Sequence, residues 1–491
     1  MRPAEHIARP ALLLAPGLLL AACTGSSDAT VEVAIIGQPN ALFDASARQS
    51  PAARLLRNAT AEGLVSLDAQ GRAVPAVADR WIVTDDGLSY IFRLRNGTWP
   101  DGSPMTAESG RQALREAIAA QRGTPMALDL SVIEDVRMMA GRVIEIRLTS
   151  PQPDFLMLLA QPELGLMHKG GAGPMSLVRE KGAALLKPIP PGKLGLPAVE
   201  NWSSRVRNVR LQALPADKAI GQFAEGQVAV VEGGSFASLP LVDVAGISRG
   251  ALQIDPVNGL FGLAFAHSDG FLSQAANREA IAMAIDRDRV AGSIGVGGWQ
   301  ATTRVVPPGL EGSFPAPGER WANLSLAQRR DVARARVLRW NAGKGGRPQL
   351  RIALPDGPGA DRLFGQLRED LAAIGLDAAR VAEGAAADLR LIDAVAPVAR
   401  ASWYFHQFHC AAQHNLCDSD ADRQFAAALE ATDPASRIKL LGQAEASLSD
   451  ANLFIPLGQP VRWSLVAGAA TGFAPNSLAF HPLMPIALRP K

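Results

Sequence analysis

Ser89-Tyr90-Ile91-Phe92-Arg93-Leu94-Arg95-Asn96-Gly97-Thr98-Trp99-Pro100-Asp101-Gly102-Ser103-Pro104-Met105-Thr106-Ala107 is the stretch that decides the fold class. Its first six residues alternate polar and apolar, the period of a strand with one buried face, and Asn96-Gly97 then supplies a turn. Asp101-Gly102 is a second turn, and Thr106 is placed to cap a helix running through Ala119. Ala113, Leu114, Ala117 and Ile118 recur there with helical spacing. Ser109 stands at the third helical position, where a Glu or Gln would complete a capping box, so a weaker cap is expected. Trp81 and Trp99, large side chains beside tight turns, are expected to plug the seam between hairpin and helix.

The same interleaving continues outward. Val31-Glu32-Val33-Ala34-Ile35-Ile36 is a short β-branched run closed by Gly37-Gln38-Pro39-Asn40, and Ile144-Glu145-Ile146-Arg147-Leu148 alternates as 89–94 does. Asn277 is read as the cap of a second helix with Ala280, Ile281, Ala284 and Ile285 on one face; Arg278, Asp286 and Arg287 are read as charges on helix surfaces. The stretch 324–386 reads as helices around one strand, Leu350 to Leu354. The Pro- and Gly-rich stretches 188–197 and 307–318 read as surface loops. Strands alternating with helices, without an internal repeat, indicate α/β layers.

Composition narrows the function classes. The 491 residues are 48% apolar and 20% charged, with a formal net charge of +2. That excludes a disordered, collagen-like or multi-span membrane chain. The even balance, with no basic run, excludes nucleic acid as an expected partner. No G-x-S-x-G elbow, HExxH helix or phosphate loop occurs, so no catalytic residue, metal or cofactor is expected. The N-terminus carries Arg2 and Arg9, then an apolar run Ala11 to Ala22 too short for a comfortable span. Leu20-Ala21-Ala22-Cys23 looks like a bacterial lipobox. Residues 1–22 are therefore expected to be a signal peptide, Cys23 a lipid anchor, and 23–30 a flexible tether; an ordinary signal peptide with a coincidental cysteine is the alternative.

A wider set of residues carries a resemblance. Glu62-Gly63-Leu64-Val65-Ser66-Leu67-Asp68 is followed by Pro75-Ala76-Val77-Ala78-Asp79-Arg80-Trp81, by Asp86-Gly87-Leu88-Ser89-Tyr90 and by the stretch quoted above. Gly262-Leu263-Ala264-Phe265, Asn277-Arg278-Glu279-Ala280 and Ala284-Ile285-Asp286-Arg287 form a second island. Arg437 and Leu453-Phe454-Ile455-Pro456-Leu457 form a third. Together they resemble the extracytoplasmic solute-binding proteins of peptide-type ABC transporters (family 5 solute-binding proteins), which usually carry an acid where Ser109 stands. The resemblance implies a two-lobe α/β periplasmic-binding-protein fold of type II with an extra subdomain on lobe one. On that mapping 31–257 is lobe one, 258–464 is lobe two, and 465–491 returns to lobe one. It also implies a monomer without a cofactor, held at the cell membrane by its lipid alone. Its partners would be a permease with separate ATPase subunits and a peptide or peptide-like solute, captured as the lobes close.

One region departs from the resemblance. Peptide-binding members place an aspartate in a W..D..DP stretch, where it pairs with the peptide ammonium. Here the region reads Asp388-Leu389-Arg390-Leu391-Ile392-Asp393-Ala394-Val395-Ala396-Pro397, then Ser402-Trp403-Tyr404-Phe405-His406-Gln407-Phe408-His409-Cys410. One register puts Asp393 in the acid's place; the other matches Trp403 and leaves Tyr404 and His406 instead. Asp393, Trp403, Tyr404, Phe405 and His406 are thus the candidate ligand-binding residues, and a strand-end turn is the plainer reading of Asp393. Lipidating Cys23 leaves Cys410 and Cys417, an even pair in an oxidising compartment and a candidate disulfide. In a helix they would stand about 10.5 Å apart along the axis, beyond the reach of a bridge, so a bridge implies a loop. A metal site built from His406, His409, His414 and the two thiols is the alternative, although the spacing matches no common zinc motif.

Overall fold

The β-branched run that begins the described chain lies in the interior of a sheet. In the computed structural model, which describes residues 30–46, 49–310, 319–342, 347–412 and 415–490, Thr30–Ile36 runs parallel to Asn208–Leu214 on one side and Val230–Ser235 on the other. Val31, Val33 and Ile35 face one hydrophobic cluster and Ala34 faces another, so both sides of the strand are buried, as parallel strands require. Antiparallel strands extend this sheet to seven: Ala183–Pro188 and Met175–Glu180 at one end, Arg462–Val466 and Leu252–Ile254 at the other. The leader 1–22, Cys23, residues 311–318 of the second Pro/Gly-rich stretch and His414 lie outside the described residues.

The deciding stretch folds as its pattern dictates. Ser89–Leu94 is central in a four-stranded antiparallel sheet ordered Ala78–Val83, Ser89–Leu94, Val143–Leu148, Ile133–Met138. The helix Ala107–Ala120 lies over it with Ala113, Leu114 and Ala117 buried. The expected weak cap is corrected: Thr106 Oγ1 accepts from Ser109 N at 3.2 Å and Ser109 Oγ accepts from Thr106 N at 3.1 Å, a complete reciprocal box. Serine is short enough to serve there while its Oγ also accepts from Trp99 Nε1 at 2.9 Å, which seats the fully buried indole. Trp81, half-buried in the neighbouring strand, leans its ring on Phe92 at 6.4 Å.

A second, five-stranded sheet is ordered Asp377–Ala382, Gln349–Leu354, Leu389–Val395, Gly259–Phe265, Phe454–Gly458. Every residue of Gly259–Phe265 is buried. The helices Ala275–Ala284, Leu326–Asn341 and Pro358–Ala372 pack into a hydrophobic cluster that continues into the first lobe through Ala34, Ile220 and Val231; Ser419–Glu430 and Pro434–Asp450 pack together over another. Two readings are corrected here. Asn277 is not the cap, because the helix starts at Ala275 and the buried Asn277 donates through Nδ2 to Phe271 O at 2.9 Å. Arg278 and Arg287 are not surface charges: both are nearly fully buried. Arg278 donates to the Ala451 and Asn452 carbonyls, satisfying oxygens left at the end of the helix Pro434–Asp450, and to Leu272 O in the turn before its own helix. Arg287 donates to Pro456 O and pairs with Glu319. Asp286 caps the following helix Arg287–Ile294, accepting from Arg289 N.

Among the described residues the chain passes between the two sheets twice, from Ile254 to Gly259 and from Gly458 to Arg462. The return is earlier than residue 465, because Arg462–Val466 already pairs with Val230–Ser235. Trp463 fixes this register: its buried indole donates to Ser235 O at 2.9 Å.

Candidate functional site

The two crossings bring residues of distant sequence to the joint between the lobes. Asp255 N donates to Arg462 O at 3.0 Å and Gly259 N to Gln459 Oε1 at 3.0 Å, so the crossings are tied to each other. Arg462, first in its strand, reaches Asp393 of the second sheet. Nη1 donates to Asp393 Oδ1 at 2.7 Å and Nη2 to Asp393 O at 2.8 Å. Burial pushes the Asp393 carboxyl up from its ordinary range, and Arg462 offsets only part of that rise. The candidate acid therefore has a cation of its own chain beside it.

A buried triad stands on the first-lobe side of the joint. His481 Nε2 lies 3.2 Å from Asp255 Oδ1, and Nδ1 lies 3.6 Å from Glu232 Oε2, all three residues being at most 5% exposed. Burial lowers the affinity of the imidazole for a proton, but the hydrogen bonds and charges of Asp255 and Glu232 outweigh it and lift His481 to about 9. The imidazolium thus fastens the tail to the first crossing, helped by Asn476 N on Asp255 Oδ1 at 2.9 Å. Sequence reasoning missed Arg462 and this triad. Nothing local marks them, since His481 and Asp255 are 226 residues apart.

The other candidates lie on the helix Ala401–His406 of the second lobe, and all are buried. Phe405 stacks on Phe425 with centroids 4.7 Å apart, and Trp403 meets Tyr404 edge-on at 4.9 Å. These three rings belong to the hydrophobic cluster under the helical pair. The Tyr404 hydroxyl is buried without a hydrogen-bond partner among the described residues, and burial pushes it well above the usual phenol range. His406 differs: its Nδ1 lies 2.8 Å from Asp129 Oδ1, at the end of the first-lobe helix Pro125–Asp129. Met157 of the first lobe packs against clusters of both lobes. Cys410 and Cys417 are joined in a disulfide with Cα atoms 5.2 Å apart, Cys410 opening a short 3-10 turn and Cys417 in irregular backbone. Among the described residues no cluster of His, Cys, Asp and Glu is arranged to hold a metal ion.

A further contact between the lobes uses backbone alone. Gly359 N, at the start of the helix Pro358–Ala372, donates to Ala237 O at 2.8 Å. A Cβ on Gly359 would stand 2.0 Å from Phe236 O, so only glycine permits this approach.

Residues 72–405 match the family described as bacterial extracellular solute-binding proteins, family 5 Middle. The chain belongs to this family. As a family member it resembles, at 35% identity over 121 residues, a probable deoxycholate-binding periplasmic protein of Escherichia coli K12; that match covers 21% of this chain and 23% of that protein. The periplasmic murein peptide-binding protein MppA of E. coli is 23% identical over 354 residues, covering 65% of this chain and 63% of the relative. The chain thus spans from about a quarter to under two thirds of these relatives' lengths. Among solved structures, OppA of Haemophilus influenzae in complex with RPPGFSPFR superposes with a TM-score of 0.78 at 16% identity, covering 94% of this chain and 99% of that one. AgaA of A. tumefaciens R10, in complex with agropinic acid, superposes at 0.73 and 16% identity, covering 94% and 99%. These likenesses establish the two-lobe periplasmic-binding-protein fold. Among the described residues no helix is long and apolar enough to cross a membrane.

Proposed function

We propose that this chain is the lipid-anchored receptor of an ABC importer, taking a peptide or peptide-like solute between its lobes and presenting the closed form to a permease. The observation that carries this reading is the pair of short crossings between two separate sheets, with contacts between the lobes away from those crossings. Such a body opens and closes about the crossings, and a solute that touches both lobes only in the closed state shifts that equilibrium. Trp403, Tyr404 and Phe405 back the cleft from the second-lobe core, while Asp393 and His406 are the polar candidates at the lobe boundary. The disulfide pins the loop that follows them. Energy for transport comes from ATPase subunits on separate chains, and the monomer itself does no chemistry. Cys23, with its diacylglycerol, keeps the receptor at the outer face of the cell membrane.

Two experiments test the reading. Solute binding should raise the melting temperature through linkage. A panel of peptides, metal chelates and other small solutes that leaves melting unchanged would favour a scaffold lipoprotein instead, and a response confined to the non-peptide members would reassign the solute. Replacing Cys23 with Ala should release the exported protein from membranes; retention after a carbonate wash would contradict the anchor.

A further inference from the structure

Asp393 and Arg462 meet where the two sheets join, and each side chain keeps an exposed edge, 15% and 19% respectively. Arg462 places donors on Asp393 Oδ1, Asp393 O and Val461 O. A guanidinium carries five N–H groups in a planar fork, so the fork retains donors for a further acceptor. The neighbouring acids do not replace Asp393 as a receptor for cations. Asp356 is fully exposed beside Arg380, so water screens it; on Glu383, in the turn after the strand Asp377–Ala382, burial and the charge of Asp393 both raise the carboxyl, so it holds a negative charge less readily.

We propose that Arg462 is a specificity-determining residue: it occupies the place a ligand cation would take beside Asp393 and turns that end of the site toward acceptor groups. The solute then presents a carboxylate or an acyl carbonyl oxygen there, and not a free ammonium. This rests on the solute-binding reading above. An entering ammonium has to displace Arg462 from Asp393 and leave a half-buried guanidinium unpaired, which is costly. A carboxylate or amide oxygen takes the remaining donors while the pair stays whole, and a carboxylate gains a charge-assisted bond.

The experiment titrates the wild-type chain, Arg462→Met and Arg462→Lys with trialanine, N-acetyl-trialanine and N-succinyl-trialanine by calorimetry. The wild type should take one of the two blocked peptides at least about tenfold more tightly than the free amine, as expected where polar groups must otherwise be left unpaired. The succinyl arm distinguishes a carboxylate from an acyl oxygen. Arg462→Met uncovers Asp393 and should reverse the order toward the free amine, whereas Arg462→Lys should keep the wild-type order. If the Met variant fails to fold, the wild-type and Lys orders still decide. A wild type that binds free trialanine best overturns this proposal alone, and so does an unchanged order in a folded Met variant. Absence of binding by all three peptides to every form overturns the peptide-like reading and the proposal together.

Discussion

Asp393–Arg462 and Asp129–His406 both join the two lobes, and they are built differently. Asp393–Arg462 sits at the crossings and is gripped at three points of a guanidinium fork, one of them Arg462's own neighbour Val461. Asp129–His406 joins two short helices, neither of which adjoins a crossing, through one ring nitrogen. A pair at the pivot keeps its geometry while the lobes rotate. A pair away from the pivot exists only while they are together. The first therefore contributes to holding the fold, and the second to the balance between open and closed forms.

The largest effect is expected from breaking the pivot pair. Arg462→Ala leaves Asp393 half-buried without its cation and should destabilise the chain by about 3 kcal/mol in denaturant titration, the scale for breaking a largely buried pair. A loss as small as that of a surface pair would remove the distinction just drawn. Next comes the triad behind the pivot. His481 is lifted to about 9 in the folded chain from an ordinary 6.5, so its contribution is complete below pH 6.5 and is lost as pH rises through 9. Stability should fall over that window by about 3 kcal/mol, and His481→Gln should flatten the slope. Asp129→Asn should cost little stability but weaken solute binding by about tenfold, as loss of a closed-state contact does. An equal loss in stability would make it a fold contact like the first. Ser109→Ala, remote from both pairs, should cost about 1 kcal/mol through the cap and leave binding unchanged.

The contrast also explains what was legible in the sequence. Strand, turn and helix across 89–120 were readable because alternation, Asn-Gly and Thr106 act over a few residues. The α/β layering followed from the same signals, whereas the lobe boundaries were implied only by the family resemblance. Asn277 misled because Gln274, which gives no side-chain cap, starts the helix three residues earlier. Arg278 and Arg287 read as surface charges because the carbonyls that hold them, at Ala451 and Pro456, are about 170 residues away. Arg462 was invisible for the same reason, being 69 residues from Asp393. Of the candidate site, the chemistry of Asp393 and His406 was noticed, but not Arg462 or Asp129, the partners that define what each can do.

Small-angle scattering offers the most direct test of a receptor that closes about its crossings. The chain purified from its own compartment should be compared with the same chain unfolded, dialysed free of solute and refolded. The stripped form should show the larger radius of gyration, and adding back the dialysed small-molecule fraction should restore the smaller one. Identical radii in all three samples, with the refolded chain as stable as the original, would contradict closure on a solute.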